Sequence, residues 1–368
     1  MNSGADQEIA IKLAQMRSWL EQEDAGALRL RGVDWFAWAT AGGSAGHSLV
    51  AECGCAEVLV TPDAAYILTD EAEAARMRHE AVPGTWTWQV APWMPPQLAE
   101  LREHFVQHAA RGRAVLCDRP GPHERSLPAV LREERYILLP SEQARYREVG
   151  RLAAAAAAEA LRAARPGWTE QELAGACARA LCLRGLQAMY VLASGTERQR
   201  RFRRAPPTTA PLGERALLVL GARGFGLCAC LSRQRRFHAG HGGIDEADAA
   251  ILALEAVALD TCEAGYALSM VYHALDSAYA YAGQPDTLRE HRQGGIVGYQ
   301  APELAAGPHT ELVLRDGMAL AFHPSLPGAM VEDTFLLHLG QLHNLTADRA
   351  WPSMQMQGRR RPLSLELQ

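Results

Sequence analysis

Apolar residues along this chain switch between helical and alternating spacing, and the switches mark out its elements. Residues 8–22 carry apolar positions at helical intervals and predict an opening helix, followed by short alternating segments. Residues 57–61 and 65–69 read as two strands joined at Pro62-Asp63. Helices are expected over 71–79 and 98–110, and a short buried strand over 115–118, stopped by Pro120 and Pro122. A long helix with Ser141 as candidate cap runs to about Ala164 and stops at Pro166-Gly167, where Thr169-x-x-Glu172 forms the capping box of the next helix. Past Gly185 the pattern turns to strands over 187–193, 216–220 and 226–232. Two helices (246–263 and 268–281), a glycine-rich strand and turn (294–299) and strands over 318–323 and 330–338 follow.

The pattern predicts an α/β (α+β) chain of two domains, residues 1–140 and 141–368. In the second, the order helix pair, strands, helix pair, strands is that of a domain built from two similar halves. A composition that is 48% apolar and 21% charged supports an ordinary packed core. A net charge of −5 gives no reason to expect nucleic acid or an anionic membrane as partner. The alanine run 153–158 is broken by Glu159 and Arg162, too soon for a spanning helix, and the N-terminus lacks the apolar core of a secretory signal. The eight cysteines include no CxxC pair; a reducing cytoplasm is the expected setting. The tryptophans Trp35, Trp38, Trp86, Trp88 and Trp93 read as core or dimer contact.

Four separated segments carry candidate chemistry. The first, from Leu218 to Arg233, reads LVLGARGFGLCACLSR. The second is His291-Arg292-Gln293-Gly294-Gly295-Ile296-Val297-Gly298-Tyr299, the third Phe322-His323-Pro324-Ser325, and the fourth Val331-Glu332-Asp333-Thr334. In this order they resemble the landmarks of the creatinase/aminopeptidase P superfamily, and Phe202-Arg203-Arg204-Ala205-Pro206-Pro207-Thr208 resembles a further segment near the substrate in that family. The resemblance implies a creatinase-like N-terminal α/β domain followed by a pita-bread C-terminal domain, and a homodimer.

The departures from the family pattern are as informative as the matches. Positions that hold metal-binding aspartates in relatives are Val219 and Cys230; the histidine position is Arg292, one glutamate position is His323, and Glu332 alone is retained. Two divalent ions about 3.5–4 Å apart need several hard, bridging oxygens, so the expectation is a site with no metal and no cofactor. Cys230 is either a nucleophile or a small buried residue in a carboxylate's old place. His323 and His291 are candidate acids or bases, with His291 alternatively a supporting hydrogen-bond partner. Glu332 acts as a base or neutralises Arg292. Arg292 suits a substrate carboxylate, with Tyr299 in the same cavity and Arg204 at its mouth. A single zinc on Cys230, His323 and Glu332 is a competing arrangement, which a neighbouring Arg292 would oppose. Asp333-Thr334 is expected to support the strand beneath Glu332. The reading that follows is a metal-independent hydrolase or related C–N bond enzyme acting on a small amino-acid-derived molecule, in a specialised biosynthetic setting. The alternative is a catalytically inactive pita-bread protein that binds a peptide, small ligand or protein partner.

Overall fold

The computed structural model describes residues 3–238 and 245–366. The chain divides into two compact units, Met1–Arg135 and Tyr136–Gln368.

The first unit is built on a mixed six-stranded sheet in the order Thr87–Ala91, Ala65–Asp70, Cys53–Val60, Ala25–Gly32, Ala114–Cys117, Arg125–Ser126. The expected hairpin forms its antiparallel centre, with Val60 opposite Ala65. The opening helix (Ser3–Gln22) brings Trp19 against Trp35 and Trp38 of the Val33–Ala39 helix, and Trp19 stacks on Trp38 at 5.6 Å. Lys12 is buried there, its Nζ donating to the Glu8 carboxylate and to the Trp38 carbonyl, each at 2.7 Å. These three tryptophans are core, whereas Trp93 is exposed. The helix expected over 71–79 is α-helical only over Glu71–Arg76 and widens into a π-turn over Met77–Ala81.

The second unit holds two sheets, each with its own helices. One has the order Leu365–Glu366, Leu227–Arg236, Arg215–Gly224, Gln187–Gly195. Its central hairpin turns through Phe225 (φ 52°) and Gly226 (φ 79°), a pair of left-handed residues that matches the twist of the flanking strands. Helices Pro140–Ala163 and Glu170–Cys182 pack on this sheet, and the Tyr146 hydroxyl donates to the Cys228 carbonyl at 2.5 Å. The other sheet has the order Leu304–Ala305, Gly294–Val297, Ala319–Phe322, Asp333–His338, Gln341–Asn344. Helices Glu246–Asp260 and Leu268–Tyr281 bury Ile251, Leu254, Val271 and Leu275 against it.

Thr334 joins the two sheets. Its hydroxyl donates to the Cys230 carbonyl (2.9 Å) and accepts from the Cys230 N–H (2.8 Å), while the Ser232 N–H donates to the Glu332 carbonyl (2.9 Å). Cys230, inside the Leu227–Arg236 strand, and Glu332, just before the Asp333–His338 strand, are thereby brought close together. Below them Asp333, fully buried, pairs with Arg233 (2.9 Å) and Arg361 (2.8 Å), and Arg361 also grips Glu255 (2.6 Å). The terminal hairpin of Ser353–Met356 and Arg359–Pro362, absent from the sequence reading, delivers Arg361 to this network.

Two expected boundaries shift for physical reasons. The long helix is not capped by Ser141. It starts at Pro140, whose missing N–H costs nothing in the first turn, and Glu142 accepts from the Leu139 N–H at 2.8 Å. The strand expected over 330–338 is broken into Ala329–Met330 and Asp333–His338, and the break carries Glu332.

Candidate functional site

A cavity of about 390 Å³ opens between the two sheets of the second unit, lined by Tyr190, Arg204, Cys230, His291, Arg292, Gly294, Gly295, His323 and Glu332 among others. Its floor follows from strand register. Tyr190, Gly221 and Cys230 lie in one row across three strands, Tyr190 opposite Gly221 and Gly221 opposite Cys230. A Cβ on Gly221 would come within 2.5 Å of the Tyr190 ring, so the glycine is what lets the tyrosine lie across the row toward Cys230. Tyr190 was missed in the sequence; the signal was its place in the expected 187–193 strand, beside the segment that carries Cys230.

The second wall depends on the glycine pair. Gly294 (φ 123°) and Gly295 (φ 155°) pair with strands on both sides, and a side chain on either would run into the backbone carbonyl of Ala321 or of Leu304. Only glycine permits that approach.

Glu332 is 2% exposed, and its Oε2 is a buried oxygen with no hydrogen-bond partner. His323 Nδ1 lies 3.5 Å from Oε1, and Arg204 Nη1 lies 3.9 Å from Oε2. Arg204 also covers the Tyr190 ring at 5.3 Å. The cation facing Glu332 is therefore Arg204, not Arg292. Arg292 is exposed, its backbone carbonyl tied to His291, and its guanidinium makes no hydrogen bond or ion pair among the described residues.

Cys230 lines the cavity but is 2% exposed, and burial, reinforced by the Glu332 charge, pushes its thiol far up. A protonated thiol is a poor nucleophile, which argues against the nucleophilic reading and for the packing one. His291 has both ring nitrogens engaged: Nδ1 meets the Arg292 carbonyl at 2.8 Å, and Nε2 meets the Ser325 hydroxyl at 2.8 Å and the Gln293 amide at 3.3 Å. Burial, helped by His323, Arg203 and Arg204, lowers its pKa to about 4. It stays neutral near pH 7 and is placed to hold Ser325 and to stack on His323 at 6.0 Å. Tyr299 is corrected outright. It is fully buried, does not line the cavity, and donates its hydroxyl to Glu142 of the long helix at 2.6 Å.

The sequence matches the model of metallopeptidase family M24 over residues 144–338, more than half of the chain. The chain belongs to that family. Solved structures similar to it include an Xaa-Pro dipeptidase from Bacillus anthracis (TM-score 0.75, 16% identity, covering 92% of this chain and 98% of that one). A dipeptidase, PepE, from Mycobacterium ulcerans matches with TM-score 0.75 and 17% identity over 98% of this chain and 99% of that one. The N-terminal domain of the FACT complex subunit SPT16 from chickpea (Cicer arietinum) matches with TM-score 0.67 and 13% identity over 93% and 96%. At these identities the likeness shows the pita-bread fold. No curated protein matches the sequence.

A metallopeptidase family implies metal, and the residues of this cavity do not fit a pair of divalent ions. Glu332 is the one carboxylate among the lining residues, and two arginines, Arg204 and Arg292, line the same cavity. Val219, at a carboxylate position of the family, packs with Leu217 and Met330 in an apolar cluster. A single zinc fares no better. Among the described residues the one set of three His, Cys, Asp or Glu ligand atoms all within 4.8 Å of one another is His47, Cys55 and Glu73, in the first unit. No helix among the described residues is long and apolar enough to cross a membrane.

Proposed function

We propose that the cavity of the second unit cleaves a C–N bond of a small amino-acid-derived substrate, by hydrolysis and without a metal ion. The observation that carries the reading is the buried Glu332 carboxylate, faced by His323 at 3.5 Å and Arg204 at 3.9 Å, with one oxygen free to accept. With Nδ1 turned toward that carboxylate, the other ring nitrogen of His323 is the one left to exchange a proton with the substrate. Water then adds to the carbon of the scissile bond as His323 removes its proton. The C–N electron pair leaves with the nitrogen, which receives that proton from His323. The unpartnered guanidinium of Arg292 at the cavity edge pairs with the substrate carboxylate through two parallel hydrogen bonds. Glu332 Oε2 accepts from an N–H of the substrate, and Arg204 balances its charge. His291 and Cys230 shape the wall rather than react.

A cavity near 390 Å³ suits a molecule of amino-acid to dipeptide size, as does the likeness to dipeptidases. A cytoplasmic setting, expected from the cysteines, a homodimer, implied by the family resemblance, and a step in specialised biosynthesis complete the proposal. The test is a panel of dipeptides, N-acyl amino acids and guanidino acids incubated with chelator-treated protein, with released amine measured. Turnover that persists in EDTA and is lost in His323→Ala supports the reading. Turnover that needs added metal, or that survives both His323→Ala and Glu332→Gln, contradicts it. The departures at the family's ligand positions also favour a second reading, a non-catalytic pita-bread protein that binds a peptide, small ligand or protein partner. The similarity to a FACT complex subunit is in keeping with that reading. Saturable ligand binding without turnover across the panel would select it.

A further inference from the structure

We propose that the first unit carries a zinc site, formed by His47, Cys55 and Glu73, with Arg76 as the cation the metal displaces. Thiolate, imidazole and carboxylate are the three protein donor types zinc takes. They come from three separate stretches of chain. His47 lies in the loop after the Val33–Ala39 helix, Cys55 in the Cys53–Val60 strand and Glu73 in the Glu71–Arg76 helix.

Each stretch is held in place by backbone contacts rather than by the ligands themselves. The loop is pinned to the strand by the Cys55 N–H, which donates to the Ala45 carbonyl at 2.8 Å. The pressing is close: a Cβ on Gly54 would meet Ala45 Cβ at 2.5 Å. The helix start is fixed by Asp70, whose carboxylate accepts from the N–H groups of Ala72 (3.0 Å) and Glu73 (3.1 Å). Glu73 is therefore presented on a capped first turn.

The donor atoms are clustered closely enough to converge on one ion. Zinc bonds of about 2.0–2.1 Å to N or O and 2.3 Å to S set tetrahedral donors roughly 3.3–3.6 Å apart. Here His47 Nε2 lies 3.1 Å from Glu73 Oε1 and Cys55 Sγ lies 3.8 Å from the other oxygen, Oε2, and one ligand atom from each of the three residues lies within 4.8 Å of the other two. Drawing the widest of these spacings in toward the tetrahedral range would complete the site, with the fourth position open to water.

A second observation marks the same spot as one that attracts cations. The Arg76 guanidinium nitrogen Nη2 sits 2.6 Å from Glu73 Oε2, 3.8 Å from Cys55 Sγ and 3.5 Å from the sulfur of Met77. A cation among one oxygen and two sulfurs is an unusual home for arginine, and that side chain is 38% exposed, so it can turn outward. His47 is also exposed, which gives an ion a way in.

The experiment is a cobalt(II) titration of the full chain, followed through the sulfur-to-cobalt charge-transfer absorption, with zinc then added in competition. One equivalent should bind. The absorption should vanish in Cys55→Ser, weaken by roughly tenfold or more in His47→Ala, strengthen in Arg76→Gln, and be unchanged in Cys53→Ser and Cys230→Ser. Circular dichroism of each variant checks that the sheet is intact. Absence of the band in the wild-type protein, or a band that survives Cys55→Ser, overturns the proposal.

Discussion

If Arg204 neutralises Glu332, the two side chains must be coupled energetically, and Arg292 must not share that coupling. Two unit charges 3.9 Å apart attract by about 4 kcal/mol at an effective dielectric near 20. Glu332 is nearly fully buried, but the Arg204 side chain is 30% exposed, and solvent screening reduces the observable share to about 1–2 kcal/mol. The measurement is a double-mutant cycle with Arg204→Gln, Glu332→Gln and the pair, read by thermal unfolding. A coupling of that size appears as a departure from additivity of roughly 2–8 °C. The parallel cycle with Arg292→Gln should be additive, because that guanidinium is exposed and forms no ion pair among the described residues. Additive behaviour in the Arg204 cycle together with coupling in the Arg292 cycle would refute the charge assignment and restore the pairing expected from sequence.

Four further outcomes follow from the same geometry. In native protein a thiol reagent at neutral pH should label the exposed Cys53 and Cys182 and leave Cys230 unmodified, because burial holds its thiol protonated; peptide mapping decides. Gly295→Ala places a methyl group against the Leu304 carbonyl at φ 155° and should cost at least about 3 kcal/mol, seen as a lowered unfolding temperature or loss of soluble protein. Gly221→Ala should be milder, about 1–3 kcal/mol, since the Tyr190 ring can shift, but it should weaken ligand binding by moving the cavity floor. His291 has a pKa of about 4 in the folded chain against 6.5 unfolded, so between those values the unfolded chain binds the extra proton. Its contribution to stability is present above pH 6.5 and is lost as pH falls toward 4. His291→Gln should flatten the acid side of the stability profile over that interval, measured by denaturant unfolding at several pH values.

The parts of this protein that backbone chemistry dictates were legible in its sequence. Residues 294–299 read as a glycine-rich strand and turn, strands were expected on both sides of the Phe225-Gly226 turn, and the order of helix pairs and strands marked two halves. What sequence could not supply was side-chain direction. Arg292 precedes Gln293 and the glycine strand, and its guanidinium stays in solvent, while Arg204 comes over Tyr190 toward Glu332 from a distant loop. Tyr299 follows the same strand but turns to Glu142, because a helix cap and an aromatic hydroxyl satisfy each other there. The buried charges beneath the site depended on Arg361, which only the tail hairpin brings into reach. Tyr190 needed the register of three strands, since its access to Cys230 exists only because Gly221 lies between them.

The cavity of this family member lacks the ligands to hold two metal ions, and its metal content decides the matter. Cys55→Ser protein, which removes the separate site proposed for the first unit, would be loaded with manganese or zinc, dialysed and analysed for bound metal, with the unfolding temperature recorded with and without EDTA. No metal should be retained, and the unfolding temperature should not shift. Two equivalents of retained metal, with EDTA lowering the unfolding temperature, would contradict it and return the cavity to dinuclear hydrolysis.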